Sequence, residues 1–406
     1  MRSVSSAAWS CVGLFLCVAV PLCLTNYDHG RAFADQSVYH YPTILHFVHG
    51  GGFGDYPSAT TPGYHLLLAA FARWITLSEP ALKLANSVLT AALLGLVAGV
   101  VAKQVRSVVL SLALVLPMVF SIYVFPSGVW LLPDNLAWLT VFALFYLAAN
   151  FEASARWYFA AALLLVAAVM VRQSNLWLCA IVLVAAARGG RIVPAALATV
   201  PAIAVLVYFV TLWHGLTPPS FAQKHTAANF AAVPFFFCVL GFYSVFYVPL
   251  VIAQVRTVWR PVIYLGGLAG LLASLIVPTD WDPDAGRVSG LWNVAKILPT
   301  VAHRSMFITG LATIGGALAV IWLLLAKPAT RPILVAAAAG FMAAQLTSHF
   351  VYERYYAGMI FLLILQVTAE VLGRDSVQPV PRWSWTGPLA FTIVNAGILG
   401  AGLYAS

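Results

Sequence analysis

"AAWSCVGLFLCVAVPLCL", residues 7–24, runs for a whole helix length without a charge. Two readings compete for it. A secretory signal peptide would end in a small-x-small cleavage site, and the "TNYDHG" that follows offers none. Runs of the same kind recur along the chain, so this one reads as a retained first span. Composition decides the same way. The 406 residues are 62% hydrophobic and 8% charged, with mean hydropathy +0.93, whereas a soluble domain carries about 25% charged residues. Only helices and closed barrels satisfy their backbones in lipid. A barrel shows alternating segments of about ten residues; these runs are continuous. The expected fold is therefore all-α and polytopic.

Spans of roughly 17–25 residues fall near 7–25, 81–102, 107–124, 133–149, 157–172, 174–187, 192–213, 231–253, 261–277, 304–326, 332–349, 354–372 and 387–405. That gives about thirteen spans in one domain, 1–406, with a large first loop at 26–80. The apolar stretch 62–77 is short and holds Arg73, so it reads as an interfacial or re-entrant helix inside that loop. The five cysteines all sit in apolar runs, as packing residues rather than disulfides or metal ligands.

Charge sets the orientation. Alternate short joints carry Arg2, Lys103 and Arg106, Arg156, Arg188 and Arg191, Arg256 and Arg260, Lys327 and Arg331, and Arg374 and Arg382. By the positive-inside rule these joints are cytoplasmic, which places the net +9 on a basic rim and argues against nucleic acid. All nine histidines and nine of the twelve acids then fall on the opposite side. Ionisable groups near a membrane are costly and usually functional, so the chemistry belongs to the extracytoplasmic face.

Five stretches stand out there. "DQSVYHYP" places Asp35 near the membrane surface, where a carboxylate can act as general base for a hydroxyl; the bland alternative is a cap for a helix starting near Val38. "PSGVWLLPDNLAW" sets Asp134 at a span mouth, again a possible N-cap. "VRQSN" brings Arg172, Gln173 and Asn175 to an outer helix end, where an arginine suits a phosphate or snorkels to lipid. "FAQKHTAAN" carries Lys224 and His225. "HFVYERYY" carries Glu353 and Arg354, which as neighbours do not face one another on a helix.

Other motifs are decoys. "HGGG" at 49–52 echoes an esterase oxyanion loop, but the chain has no G-x-S-x-G turn. "DWDPD" at 280–284 begins like a calcium loop, yet Ala285 and Leu291 stand where glycine and glutamate belong; weak divalent binding stays open there. No P-loop or G-x-G-x-x-G is present.

Four stretches, in chain order, resemble motifs of the GT-C glycosyltransferases that use polyprenyl-phosphate sugars. The nearest likeness is the dolichyl-phosphate-glucose glucosyltransferase family of lipid-linked oligosaccharide assembly. "DQSVYHYP", "GDYPSATTPGYH", "RQSN" and "QKHTAAN" follow the family's sequence of motifs, and "ERYY" is similar to an element common in GT-C proteins. Gln36 and Gln223 stand where the family has acids, and the spacing from Asp35 to His40 is one residue longer than in the eukaryotic enzyme. The resemblance implies an inverting hexosyl transfer onto a glycan or lipid-linked acceptor, without cofactor or metal. It implies that Asp35 is the catalytic base. His40, Asp55, Asp134, Arg172, Gln173, Asn175, Lys224, His225, Glu353 and Arg354 would bind substrate, with Arg172, Lys224, His225 and Arg354 stabilising the departing phosphate.

A transporter or flippase for a lipid-linked sugar is the alternative. It would call for mid-membrane acids, broken helices and internal two-fold similarity, and the sequence shows none of these. A non-catalytic lipid-binding subunit, its site decayed at Gln36, is a third reading. Sixteen arginines against five lysines, with abundant alanine, lean towards a GC-rich prokaryote and its plasma membrane; the endoplasmic reticulum membrane is the fallback.

Overall fold

The computed structural model describes residues 2–25, 27, 30–222, 228–256, 258, 260–374 and 382–404. Apart from a two-residue hairpin pairing Thr300–Val301 with Arg304–Ser305, its named elements are helices. Each of the thirteen apolar stretches is helical. Six described helices are long and apolar enough to cross a membrane: Ser3–Leu24, Glu79–Val105, Ile192–Trp213, Met306–Leu325, Glu353–Leu372 and Trp383–Leu403. The protein is an integral membrane protein.

The stretch 231–253 is not one straight span. It forms two helices, Ala232–Val245 and Val248–Val255, bent by 92° at the break. Pro249 supplies the cause: it has no N–H, and its ring would collide with the carbonyl four residues back, at Val245, where the first helix stops. The expectation of no broken helix is thus corrected.

By internal contacts the chain divides into two compact units. The first comprises residues 1–103, 107–225 and 392–406; the second comprises 104–106 and 226–391.

In the first unit the loop 26–80 is packed rather than loose. It holds a helical stretch over 30–48 and a second helix, Gly63–Trp74. Ile44, Phe47, Tyr64 and Leu68 from these elements, and Tyr56 between them, are buried together with Leu82, Val171 and Trp213 from the ends of longer helices and Leu131 from the turn before Asp134–Asn150. Gly63–Trp74 is the short helix expected at 62–77, and it ends with Trp74 and Ile75 exposed, as an interfacial helix requires. Arg73 turns back to donate to the carbonyls of Val48 (2.9 Å) and Phe47 (2.5 Å), satisfying acceptors at the end of the Tyr41–Val48 helix. That same end explains "HGGG". Gly50 has φ +84, its N–H reaches the Phe47 carbonyl at 3.2 Å, and the Gly51 N–H reaches that of His46 at 2.8 Å. This is a Schellman stop.

In the second unit, Ala232–Val245, Arg260–Ile276 and Met306–Leu325 pack backbone against backbone. A Cβ at Gly270 would overlap the Ala312 carbonyl, and one at Gly266 would lie 2.5 Å from that of Gly316. Small residues four apart allow helices to approach this closely in lipid.

Candidate active site

Asp35 ends one helix, Gly30–Asp35, and a π turn, Gln36–His40, follows directly before Tyr41–Val48. Its backbone is helical (φ −62, ψ −41), and its side chain makes no capping bond. Asp35 therefore does not cap a helix starting near Val38; the helix begins at Gly30. A π turn, with its i→i+5 bonds, holds more residues than an α turn and recurs at functional sites. At 3.6 residues per turn, an α-helix would point residues five apart to different sides. The π turn brings His40, five residues on, back towards the side of Asp35.

His40 is buried and its Nδ1 lies 3.0 Å from Nε2 of His65, with the rings stacked at 5.3 Å. His65 is fully buried, and its Nδ1 has no hydrogen-bond partner among the described residues. Burial, and then the neighbouring His40, push its imidazole well below the ordinary histidine range.

The residue after Asp35 is an amide rather than an acid, and it is enclosed. Gln36 is 1% exposed. Its Oε1 accepts from the Leu131 N–H at 2.9 Å, and its Nε2 donates to Glu79 Oε1 at 2.5 Å. Glu79 Oε1 lies 3.0 Å from Nζ of the buried Lys83. Neither Lys83 nor the bond from Gln36 to Glu79 was found from sequence. The visible signal was a lysine in an apolar helix, four residues after a glutamate.

Asp134 opens the helix Asp134–Asn150 and is buried, but Pro133 is the cap residue and the carboxylate makes no capping bond. Its Oδ1 instead accepts from Nη2 of Arg172 at 2.7 Å. This replaces both bland readings, cap for Asp134 and snorkel for Arg172. Tyr64 is buried nearby, its phenol pushed up by burial and then by the charge of Asp134, and it donates to Asn86 Oδ1 at 3.1 Å.

"TTPG" and "RQSN" hold one another. Gln173 Oε1 accepts from the Thr61 N–H at 3.1 Å, while its Nε2 donates to the carbonyls of Ala59 (2.7 Å) and Leu216 (2.9 Å). Thr61 Oγ1 donates to the Val169 carbonyl at 2.5 Å. Gly63 is glycine because a Cβ would sit 2.6 Å from the Met170 carbonyl. Asn175 donates from Nδ2 to the Ala168 carbonyl at 3.2 Å, closing the end of Ala155–Val171. Gln173 and Asn175 thus build the turn that presents Arg172. Asp55 is exposed, and its Oδ1 accepts from the Ser220 N–H at 3.2 Å, a few residues before Lys224 and His225 in the sequence. Lys224 and His225 themselves lie outside the described residues.

Glu353 and Arg354 belong to the second unit. Glu353 is buried; its Oε1 accepts from the Tyr243 hydroxyl at 3.1 Å and its Oε2 from the Leu291 N–H at 3.0 Å. The Arg354 guanidinium lies over the rings of Tyr352 (5.8 Å) and Tyr355 (5.2 Å). The two side chains take separate partners, as their adjacency requires. In "DWDPD" a guanidinium sits where a cation was considered. Arg287 Nη2 donates to Asp280 at 2.8 Å and to Asp282 at 3.1 Å, and His303 Nδ1 lies 2.8 Å from the other oxygen of Asp280. Desolvation acts to raise the Asp280 carboxyl, but His303 and Arg287 outweigh it and hold the group below its ordinary range.

No family model and no curated protein matches the chain. Among solved structures, ArnT from Cupriavidus metallidurans in the apo state is similar at 14% identity and TM-score 0.43, over 98% of this chain and 78% of that one. The same protein bound to undecaprenyl phosphate gives 15% identity and TM-score 0.41, over 97% and 77%.

Proposed function

We propose that this protein is an inverting GT-C-type glycosyltransferase, moving a hexose from a polyprenyl-phosphate sugar to a glycan or lipid-linked acceptor on the extracytoplasmic side of the membrane. The observation that carries the reading is the mutual hold of "TTPG" and "RQSN" through Thr61 and Gln173. Motifs that are 112 residues apart in sequence, and that the resemblance assigns to one site, are built as one piece around Arg172.

In this reading Asp35 takes the proton of the acceptor hydroxyl. That oxygen attacks the anomeric carbon, the bond to the lipid phosphate breaks, and the carbon inverts. Negative charge grows on the departing phosphate, and fixed cations lower the barrier by meeting it. Arg172, oriented by Asp134, is such a cation; Lys224, His225 and Arg354 are assigned the same task from sequence. Gln36 does not mark a decayed site in this reading, because its amide is used twice.

The broken helix at 246–247 favours the transporter alternative, since discontinuous helices line many transport sites. Its break, however, holds Phe246 and Tyr247 and no acidic or basic side chain. Purified protein with a radiolabelled polyprenyl-phosphate sugar and candidate acceptors separates the two. A transferase yields labelled product, and Asp35→Asn abolishes it at unchanged protein level and membrane insertion. Retained transfer by that variant refutes the assignment, and lipid movement without product supports transport.

A further inference from the structure

We propose that Gln36, Glu79 and Lys83 are positioning residues for the Asp35 carboxylate, an inference that rests on the reading of Asp35 as the base. The turn carrying Asp35 is gripped on both sides. Two residues before it, the ring centroid of Phe33 lies 5.9 Å from the Lys83 ammonium. One residue after it, the Gln36 amide bonds in two directions, to Glu79 Oε1 at 2.5 Å and from the Leu131 N–H at 2.9 Å. Glu79 Oε1 and Lys83 Nζ, 3.0 Å apart, close the array. Gln36 and Lys83 are each 1% exposed.

The physical need for such an array lies in the π turn. An isolated π turn is uncommon and has to be held by its surroundings. Here the holding bonds run from Gln36 to the first turn of Glu79–Val105 and to the backbone three residues before Asp134. Gln36 is an amide for a reason: it must donate to one partner and accept from another, and a carboxylate there would face Glu79 as a like charge. A displacement of the base by about 1 Å costs on the order of 100-fold in rate.

The test uses the full chain in liposomes, with the polyprenyl-phosphate sugar as donor. Gln36→Leu keeps the volume and removes both bonds; kcat should fall about 10- to 100-fold while KM for the donor stays within about threefold. Gln36→Glu should lose activity, and adding Glu79→Gln to it should restore kcat to within about fivefold of wild type, since the swap re-forms one donor and one acceptor. Amide hydrogen exchange over 30–40 should rise about tenfold in Gln36→Leu. Wild-type kcat and exchange in Gln36→Leu, or a swap no better than Gln36→Glu alone, overturns the inference. Asp35→Asn is assayed alongside. Transfer by that variant sinks the base reading itself, whereas a dead Asp35→Asn beside an unaffected Gln36→Leu sinks only the positioning role.

Discussion

Asp134 and Arg172, 38 residues apart in sequence, are joined by a 2.7 Å bond from Nη2 to Oδ1, with side chains 6% and 19% exposed. A pair this enclosed is a poor source of net stability but is costly to halve, because the survivor keeps its charge without its partner. Asp134→Ala is expected to lower stability by roughly 3–5 kcal/mol, towards the lower value because Arg172 stays partly wet. It should also reduce transfer less severely than Asp35→Asn. Thermal midpoints and rates of purified variants check both.

Gln173 is the staple between its turn and the 59–61 loop. Gln173→Ala removes three hydrogen bonds, each worth about 0.5–1.5 kcal/mol, and leaves the Thr61 N–H and two carbonyls to find water. Proteolysis or hydrogen exchange in 57–62 should increase, and transfer should fall several-fold while protein level is kept.

His65 makes stability pH-dependent. Its imidazole binds a proton in the unfolded chain near the ordinary value of 6.5, and in the folded protein only well below it. Between those values the unfolded state holds more protons, so stability rises with pH; it is fully present above 6.5 and is lost as pH falls beneath it, by up to ~1.4 kcal/mol per pH unit. The melting midpoint should drop between pH 7 and pH 5, and His65→Gln should flatten that slope.

Gly270 lies against the Ala312 carbonyl without room for a Cβ. Gly270→Leu should force Arg260–Ile276 away from Met306–Leu325 and cost about 3 kcal/mol or more, seen as lower yield and a lower melting midpoint. Gly310→Ala on the same partner helix, where nothing lies within 4 Å of the added carbon, should be neutral.

The helices were legible because a continuous apolar run has one way to satisfy its backbone in lipid. Arg73 could be placed in a short loop helix for the same reason, since its charge broke the run. The 92° bend was also written in the chain, in Pro249, but a hydrophobic stretch does not say whether its proline kinks or breaks the helix. The π turn was not legible. It depends on the reach of Gln36 to Glu79 and Leu131, 43 and 95 residues away, and local propensity carries no record of that. Within the site, motif order pointed to Arg172 and Gln173, and a place at a span mouth to Asp134, but not to their partners. Asp134 looked like a helix cap because aspartate after proline so often is one; only the fold shows Arg172 opposite it. "DWDPD" misled for the matching reason, as the guanidinium that fills it comes from Arg287, outside the acidic run.

The bulged turn at 36–40 also means that this helical arm contains a spare residue. Elsewhere in an α-helix a one-residue deletion turns everything downstream by about 100°. Here the loss of Ser37 or Val38, both exposed, lets the turn relax into an ordinary α-helix, with Ile44 and Phe47 still facing the core. A shortened chain of this kind should fold with Asp35 and His40 four positions apart and on one face, so the segment tolerates a change of length where its neighbours do not.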